Sequence, residues 1–502
     1  MWKKSDPSSF IYRGQANTMI YRATIIPPDR EPIPDGYVAI RAGKIHDVGI
    51  WSDAIQVPPV RGKRRRAAAV EIVDLRGKFI IPGLIDGHVH LNSVPGLPTV
   101  LDQLDSTQRS RLEKIVTDYR NQVLRSYLYF GYTALVDLNV TDRAAQETLR
   151  AQSPRPDLFD CDGGVPIANG YPMRFLPDAL RFQQYPNFLY DARQPTALPA
   201  TAQVAAHTPE AVVDRIRNHG AICVKTYYED GFGPQQNDWP TPTPALLQAL
   251  VAHAHRHQLV TFLHANALAA QEVGVTNGID VLAHGLWHWE SEGNQIADNP
   301  TVQTLLDRII AQQTGYMPTF QVLGGLQALL DPSYWEQPQI RHVIPPNMLT
   351  WFQSADGQAL ADTFRQEELG TTTGSPALLD PPLQRLAAVV KYLADRHARL
   401  LFGTDTPSAP VYGNLPGLNG YLEMRRWAAA GVPLATILRA ATIENATHLH
   451  LQGHGTIAAG KLANLLILDA NPLQNIEAYD AIAGAILHGR YYSRADFSAA
   501  RH

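Results

Sequence analysis

The sequence predicts an α/β chain: a (β/α)8 TIM barrel with a small β-sandwich domain built from both termini. Three observations predict it. Apolar, strand-like runs alternate with helical patterns through the middle of the chain, eight such runs can be counted, and their C-terminal ends carry polar, chemically capable residues. At 502 residues the chain exceeds an average domain, and one large barrel plus a smaller unit suits that length better than three domains.

The elements follow in order. Residues 18–50 and 69–81 are short β-branched runs punctuated by Pro and Gly, the texture of antiparallel strands and hairpins. The eight runs come next: one ending at His88 and His90 in GLIDGHVHL, then FGYTALVDL (130–138), PDLFDCDGGVPI (156–167), AICVKTYYE (221–229), LVTFLHAN (259–266), GIDVLAHG (278–285), TGYMPTFQV (314–322) and RLLFGTDTP (399–407). Near-continuous apolar strands are those of a parallel sheet buried on both faces. Helical patterns separate them, as in PALLQALVAHAHRH (244–257) and PLQRLAAVVKYLADRH (382–397). Residues 455–492 return to short strands and turns, so the termini are expected to pair. The expected boundaries are 15–82 for the first part of the β-sandwich, 83–450 for the barrel and 451–495 for the second part.

Composition bounds the partners. Hydrophobic residues make up 45% and charged residues 18%, and no uninterrupted apolar stretch would cross a bilayer, so a soluble protein is expected. A net charge of −4 gives no general attraction to nucleic acid or to an anionic membrane, leaving a small-molecule substrate as the expected partner, with a homo-oligomer as the expected assembly. The basic run RGKRRR (61–66) reads as a solvated loop. Two cysteines, Cys161 and Cys223, are too few for a disulfide framework, and Cys223 reads as core packing. Residues 1–10 lack the apolar stretch of a signal peptide, so a cytoplasmic location is expected, a removed leader being left open.

The strand ends form a set. Residues i and i+2 of a strand point the same way, so His88 and His90 can close on one metal ion. Lys225 on the fourth run, His264 on the fifth, His284 on the sixth and Asp405 on the eighth would face the same mouth. A lysine desolvated there loses part of its preference for charge and can react with carbon dioxide to give a bridging carbamate. Other histidines are set aside. His253 and His257 share a helix face at i, i+4 with His255 opposite, and read as solvated surface; His448, His450 and His454 read as capping or exposed residues; His207 and His219 lack a strand-end context. His288, with Trp287 and Trp289, lies in the loop after the sixth run, where barrels build substrate pockets.

These motifs carry a resemblance. IIPGLIDGHVHL (80–91), GYTALVDL (131–138), VKTYYEDG (224–231), FLHAN (262–266), DVLAHG (280–285), LLFGTDTP (400–407) and GTIAAGKLANLLILDANPLQNI (455–476) are similar, in order, to those of the amidohydrolase superfamily, and most resemble its imidazolonepropionase-like and Xaa-Pro dipeptidase-like metallohydrolases. The resemblance implies one or two divalent ions, usually Zn2+, with His88, His90 and Asp405 serving one, His264 and His284 the other, and Lys225 bridging if carboxylated. It implies hydrolysis of a C–N bond by metal-bound hydroxide, on an N-acyl amino acid, dipeptide or cyclic amide. Aryl carbamates, ureas, esters or organophosphates are the alternative substrates, and a silent barrel retained as a scaffold is the alternative from another class.

Physical needs assign the remaining roles. Asp405, able to bond the attacking water, is the expected general base. Tyr228 is preferred over Tyr227 as oxyanion donor, from its place in the dipeptidase-like relatives. Two long connections, 164–206 and 324–380, are expected to be irregular and to roof an aromatic-lined pocket, and Trp287, His288 and Arg174 are candidate substrate contacts.

Overall fold

The computed structural model describes residues 18–53, 55, 70–97, 106–194, 196–231, 238–290, 293–408 and 411–501; residues 1–10 and the basic run at 61–66 lie outside them. Among the described residues, four strands come first: β1 (Thr18–Ile25), β2 (Ile33–Arg41), β3 (Lys44–Ile50) and β4 (Val70–Pro82). Seven short strands occupy the middle: β5 (Leu84–Val89), β6 (Tyr132–Asp137), β7 (Asp157–Asp160), β8 (Cys223–Tyr227), β9 (Val260–His264), β10 (Val281–Ala283) and β11 (Gly315–Met317). Three come last: β12 (Leu465–Leu468), β13 (Ile482–Leu487) and β14 (Arg490–Ser493).

The termini pair as the sequence texture predicts. One seven-stranded sheet runs β14-β13-β12-β4-β1-β2-β3, with β12 antiparallel to β4 from Leu465 opposite Pro82 to Leu468 opposite Phe79. Its buried face draws Ile25, Val38 and Ile80 from one end of the sequence and Leu465 and Ile486 from the other, so neither segment covers its apolar side alone.

The middle strands form two parallel sheets, β5-β6-β7 and β8-β9-β10-β11. Their residues are buried almost throughout, which is why these stretches read as apolar runs without alternation. Parallel bridges link the sheets: Val165 pairs with Thr226, while residues 400–406 pair with β11 at Tyr316–Leu400 and with β5 at Val89–Thr406. Ile85, Val136, Phe262, Val281, Met317 and Leu401 pack between these strands. Gly403 permits a close approach: a Cβ there would lie 2.3 Å from Met317 Sδ and 2.8 Å from His88 Cβ.

Helices cover the parallel strands. In the helix Asp380–Asp395 the buried residues Leu383, Leu386, Val389, Val390 and Leu393 recur at three- and four-residue intervals, one apolar stripe turned inward. The predicted helix at 244–257 is Pro244–Arg256. Two expectations change. The connection 324–380 is not irregular: it folds into helices that include Ile340–Val343, Pro346–Phe352 and Ala355–Leu369. The two cysteines are bonded to each other, Cys161 just after β7 to Cys223 at the head of β8, with Cα atoms 4.4 Å apart. Neighbouring strand ends bring together residues 62 positions apart in sequence, a proximity that spacing does not reveal. Among the described residues, no helix is long and apolar enough to cross a membrane.

Candidate metal centre

Backbone pairing brings residues 400–406 beside β5 at His88. The amide of Asp405 donates to His88 O at 2.8 Å, and the amide of His90 donates to Thr406 O at 2.9 Å. Asp86 fastens the same junction: its carboxylate accepts from the amides of Thr404 and His88 and from the Thr404 hydroxyl at 2.7 Å. The result is a tight group. Asp405 Oδ1 lies 2.8 Å from His88 Nε2 and 2.7 Å from His90 Nε2, and Oδ2 lies 3.8 Å from His284 Nδ1. The His284 ring is 5.2 Å from that of His88 and 4.4 Å from that of His264, centroid to centroid. His88, His284 and Asp405 thus converge, their ligand atoms all within 4.8 Å of one another.

Lys225 sits among them on β8, fully buried, and its Nζ has no hydrogen-bond partner. Neither do His88 Nδ1 and Nε2, the latter despite its short distance to Asp405, nor His264 Nε2. Buried polar atoms are normally satisfied, at a penalty of about 1–3 kcal/mol each when they are not. A group of orphaned nitrogens beside a carboxylate is the donor set of a divalent cation with N and O ligands. Burial favours the required protonation states. Desolvation drives His88 down to about 3 and lowers His264 and His284, so the imidazoles are neutral and have a lone pair to give. Burial opposes the charge of Asp405, but its neighbours His88 and His284 hold it well below the usual carboxylate range. Lys225 is pushed down to about 7 by desolvation, which makes a neutral, nucleophilic amine available near neutrality.

Several residues that sequence reading passed over support the cluster. Thr319 Oγ1 lies 3.0 Å from His284 Nδ1, orienting that ring. Thr319 is itself held in place because buried Glu423 accepts from the amides of Phe320 and Gln321 and from Trp427 Nε1. Glu229, also buried, approaches His264 Nε2 at 3.5 Å. Asp137, closing β6, accepts from the Leu91 amide and faces His90 Nδ1 at 4.0 Å. The signal for Asp137 was its place at the end of a strand run; for Thr319 and Glu423 no sequence signal exists.

The substrate-side expectations divide. Of the two expected tyrosines, Tyr227 is the one beside the cluster, its ring 5.7 Å from Lys225 Nζ and 6.1 Å from the His264 ring, as the two-residue strand period requires of Lys225 and Tyr227. Tyr228 is half-buried and packs against the main apolar cluster. Trp287 is buried 6.2 Å from His284, whereas His288 is exposed. Arg174 stands 4.0 Å from Asp238. The long connection after β7 supplies an aromatic wall: Tyr171 packs 4.3 Å from His264 and stacks on Trp239, which Phe175 meets edge-on. The aromatics of 324–380 go elsewhere, Trp335 and Phe352 packing on Tyr412. Of the histidines set aside, His253 and His454 are buried rather than solvated, paired with Asp214 and Asp157. His207 stacks on Phe188, and His219 pairs with Asp162.

Residues 362–490 match the Amidohydrolase family, and no curated protein matches the chain. Among solved structures, a Xaa-Pro dipeptidase with methionine in its active site has a TM-score of 0.61 at 16% identity, over 95% of this chain and 100% of that one. Ochratoxinase of A. niger has a TM-score of 0.63 at 17% identity, over 96% of each chain. Phenylurea hydrolase B has a TM-score of 0.61 at 19% identity, over 95% of this chain and 97% of that one. The family match spans Asp405, and the fold of the described chain is similar to the folds of these hydrolases.

Proposed function

We propose that the chain is a metal-dependent hydrolase of a C–N bond in a small molecule, its parallel strands closed into an eight-membered barrel (83–450) flanked by a β unit from 15–82 and 451–495. The bridges through Val165 and residues 400–406 support that closure. The observation that carries the function is the convergence of His88, His284 and Asp405, with His90 and His264 beside them, and the buried, unsatisfied nitrogens of His88, Lys225 and His264. One or two ions of the Zn2+ class fit this N/O donor set, with carboxylated Lys225 as a bridging anion. When bound, such an ion supplies Lewis acidity and lowers the pKa of water toward neutrality.

The chain's residues do the rest. Asp405, buried and held ionised by its neighbours, accepts the proton of the attacking water and returns it to the leaving amine. Thr319 fixes the His284 ring, and the tyrosine beside Lys225 donates to the developing oxyanion. Geometry favours Tyr227 for that donor over Tyr228. Tyr227→Phe is expected to lower kcat ten- to hundred-fold and Tyr228→Phe to leave it within about two-fold; the reverse result in steady-state kinetics assigns the role to Tyr228.

Dipeptides, N-acyl amino acids and cyclic amides are the primary substrate classes. The wall of Tyr171, Phe175 and Trp239 over His264 favours an aryl group, so aryl carbamates and phenylureas form the second reading. Metal analysis of the purified protein, followed by turnover assays across these classes, tests the proposal. Less than one equivalent of transition metal after growth in replete medium would overturn it.

A further inference from the structure

Among the described residues, one other trio of side chains outside the buried centre gathers metal-ligating atoms: Asp214, His253 and His257. Asp214 lies on the helix Pro209–Asn218, His253 on the helix Pro244–Arg256, and His257 is the residue that caps the latter. His253 and His257 are four apart and so share one helix face, their ring centroids 5.0 Å apart. Both present Nε2 to the same oxygen, Asp214 Oδ1, each at 3.3 Å. Those two separations have a definite meaning. Bonds of 2.0–2.1 Å to a tetrahedral ion place neighbouring ligand atoms about 3.3–3.4 Å apart, so the trio already has two edges of such a tetrahedron.

We infer that Asp214, His253 and His257 form a second divalent-cation site of the Zn2+ class, with three protein ligands and a fourth position open to solvent. The ligand chemistry is right: two neutral imidazoles and a carboxylate suit zinc, cobalt or nickel rather than calcium or magnesium. Access is right as well, because the Asp214 side chain is 53% exposed while His253 is nearly buried and held in place. The ion would clip together two helices that pack on each other outside β8 and β9, the strands that carry Lys225 and His264.

One residue opposes it. The guanidinium of Arg256 donates to His253 Nδ1, whereas ligation through Nε2 leaves the ring proton on Nδ1. A guanidinium has no acceptor and does not deprotonate, so it must swing away when the ion binds. Arg256 is exposed and free to do so. It therefore sets the affinity without being a ligand.

The test is a Zn2+ titration by calorimetry on protein whose buried centre has been filled and freed of excess ion. Wild type is expected to take up one more equivalent than His257→Ala or Asp214→Asn, and Arg256→Ala to bind that equivalent several-fold more tightly. The thermal midpoint of wild type should rise on zinc addition by an increment that the two ligand variants lack. In Co2+ titrations the visible band of a tetrahedral N2O site should vanish in both. Equal stoichiometry and affinity in wild type and His257→Ala would overturn the site, as would wild type taking up no equivalent beyond the buried centre. All these proteins share an intact buried cluster, so the comparison stands or falls independently of the function proposed for that cluster.

Discussion

His284 and Asp405 both hold positive φ angles, 79° and 57°, and Thr319 beside them holds 47°. For residues other than glycine this left-handed conformation is disfavoured by about 1–3 kcal/mol, and it persists where surrounding contacts dictate it. Here those contacts are the hydrogen bond between Thr319 and His284, the pairing of 400–406 with β5, and Glu423 beneath the turn. Thr319→Val should thus lower metal affinity ten- to hundred-fold, read by competition with a chromophoric chelator, with little change in fold. Asp405→Asn should reduce turnover at least a thousand-fold while metal analysis still finds at least one bound ion; near-wild-type rates would remove Asp405 as the base. Lys225→Ala should lose metal preferentially from the position served by His264 and His284, and full occupancy in that variant would count against a bridging carbamate. The grouping of His88, His284 and Asp405 was legible because each is a polar residue in or just after a run of apolar, buried sequence. Thr319 and Glu423 were not, since their role arises only where a turn and a distant helix meet. Tyr227 was legible in principle: the alternation that pairs His88 with His90 also pairs Lys225 with Tyr227.

Among elements, the strands were read more surely than what joins them. A short apolar run buried on both faces looks the same wherever it sits, and all seven middle strands fall within runs visible in the sequence. The connection 324–380 was misread because its prolines and aromatics look like loop composition, whereas Pro346 and Pro376 stand at the starts of short helices, where the missing amide is no loss. The disulfide between the ends of β7 and β8 is the least legible link of all. Closing a loop of 62 residues constrains the unfolded chain, so replacing both cysteines by serine should cost about 2–4 kcal/mol of stability, measured by denaturant unfolding under oxidising conditions. The same unfolding experiment with reductant should bring the wild type to the level of the double variant.

Across the whole molecule, Asp157 at the head of β7 ties the terminal sheet to the parallel strands. It accepts from His454 at 2.9 Å, His488 at 2.8 Å and Asn464 at 2.8 Å, all from the C-terminal part of the chain. Burial would raise its pKa, but the bonds from His454 and His488 hold it below the usual range; the bond to Asp157 in turn raises His488. The depressed carboxylate contributes stability above its unfolded value near 3.8, lost as pH falls through the folded one, while His488 contributes below 6.5, lost as pH rises through its raised value. Both act between about pH 4 and 6.5. His488 is half exposed, so its share is small. Asp157→Asn should lower the thermal midpoint by a few degrees at pH 6 and by less at pH 9; an equal loss at both would rule out the charged pair.

The seven-stranded sheet also sets a timetable. β4 is made early, yet its neighbour β12 is encoded hundreds of residues later, where Leu465 meets Pro82. At roughly 5–20 residues per second, synthesis of the intervening chain takes about 20–80 s. Throughout that interval one edge of β4 and the apolar face behind it stand open on the ribosome, so the segment that seals the protein last is also the one whose partner is most exposed to aggregation.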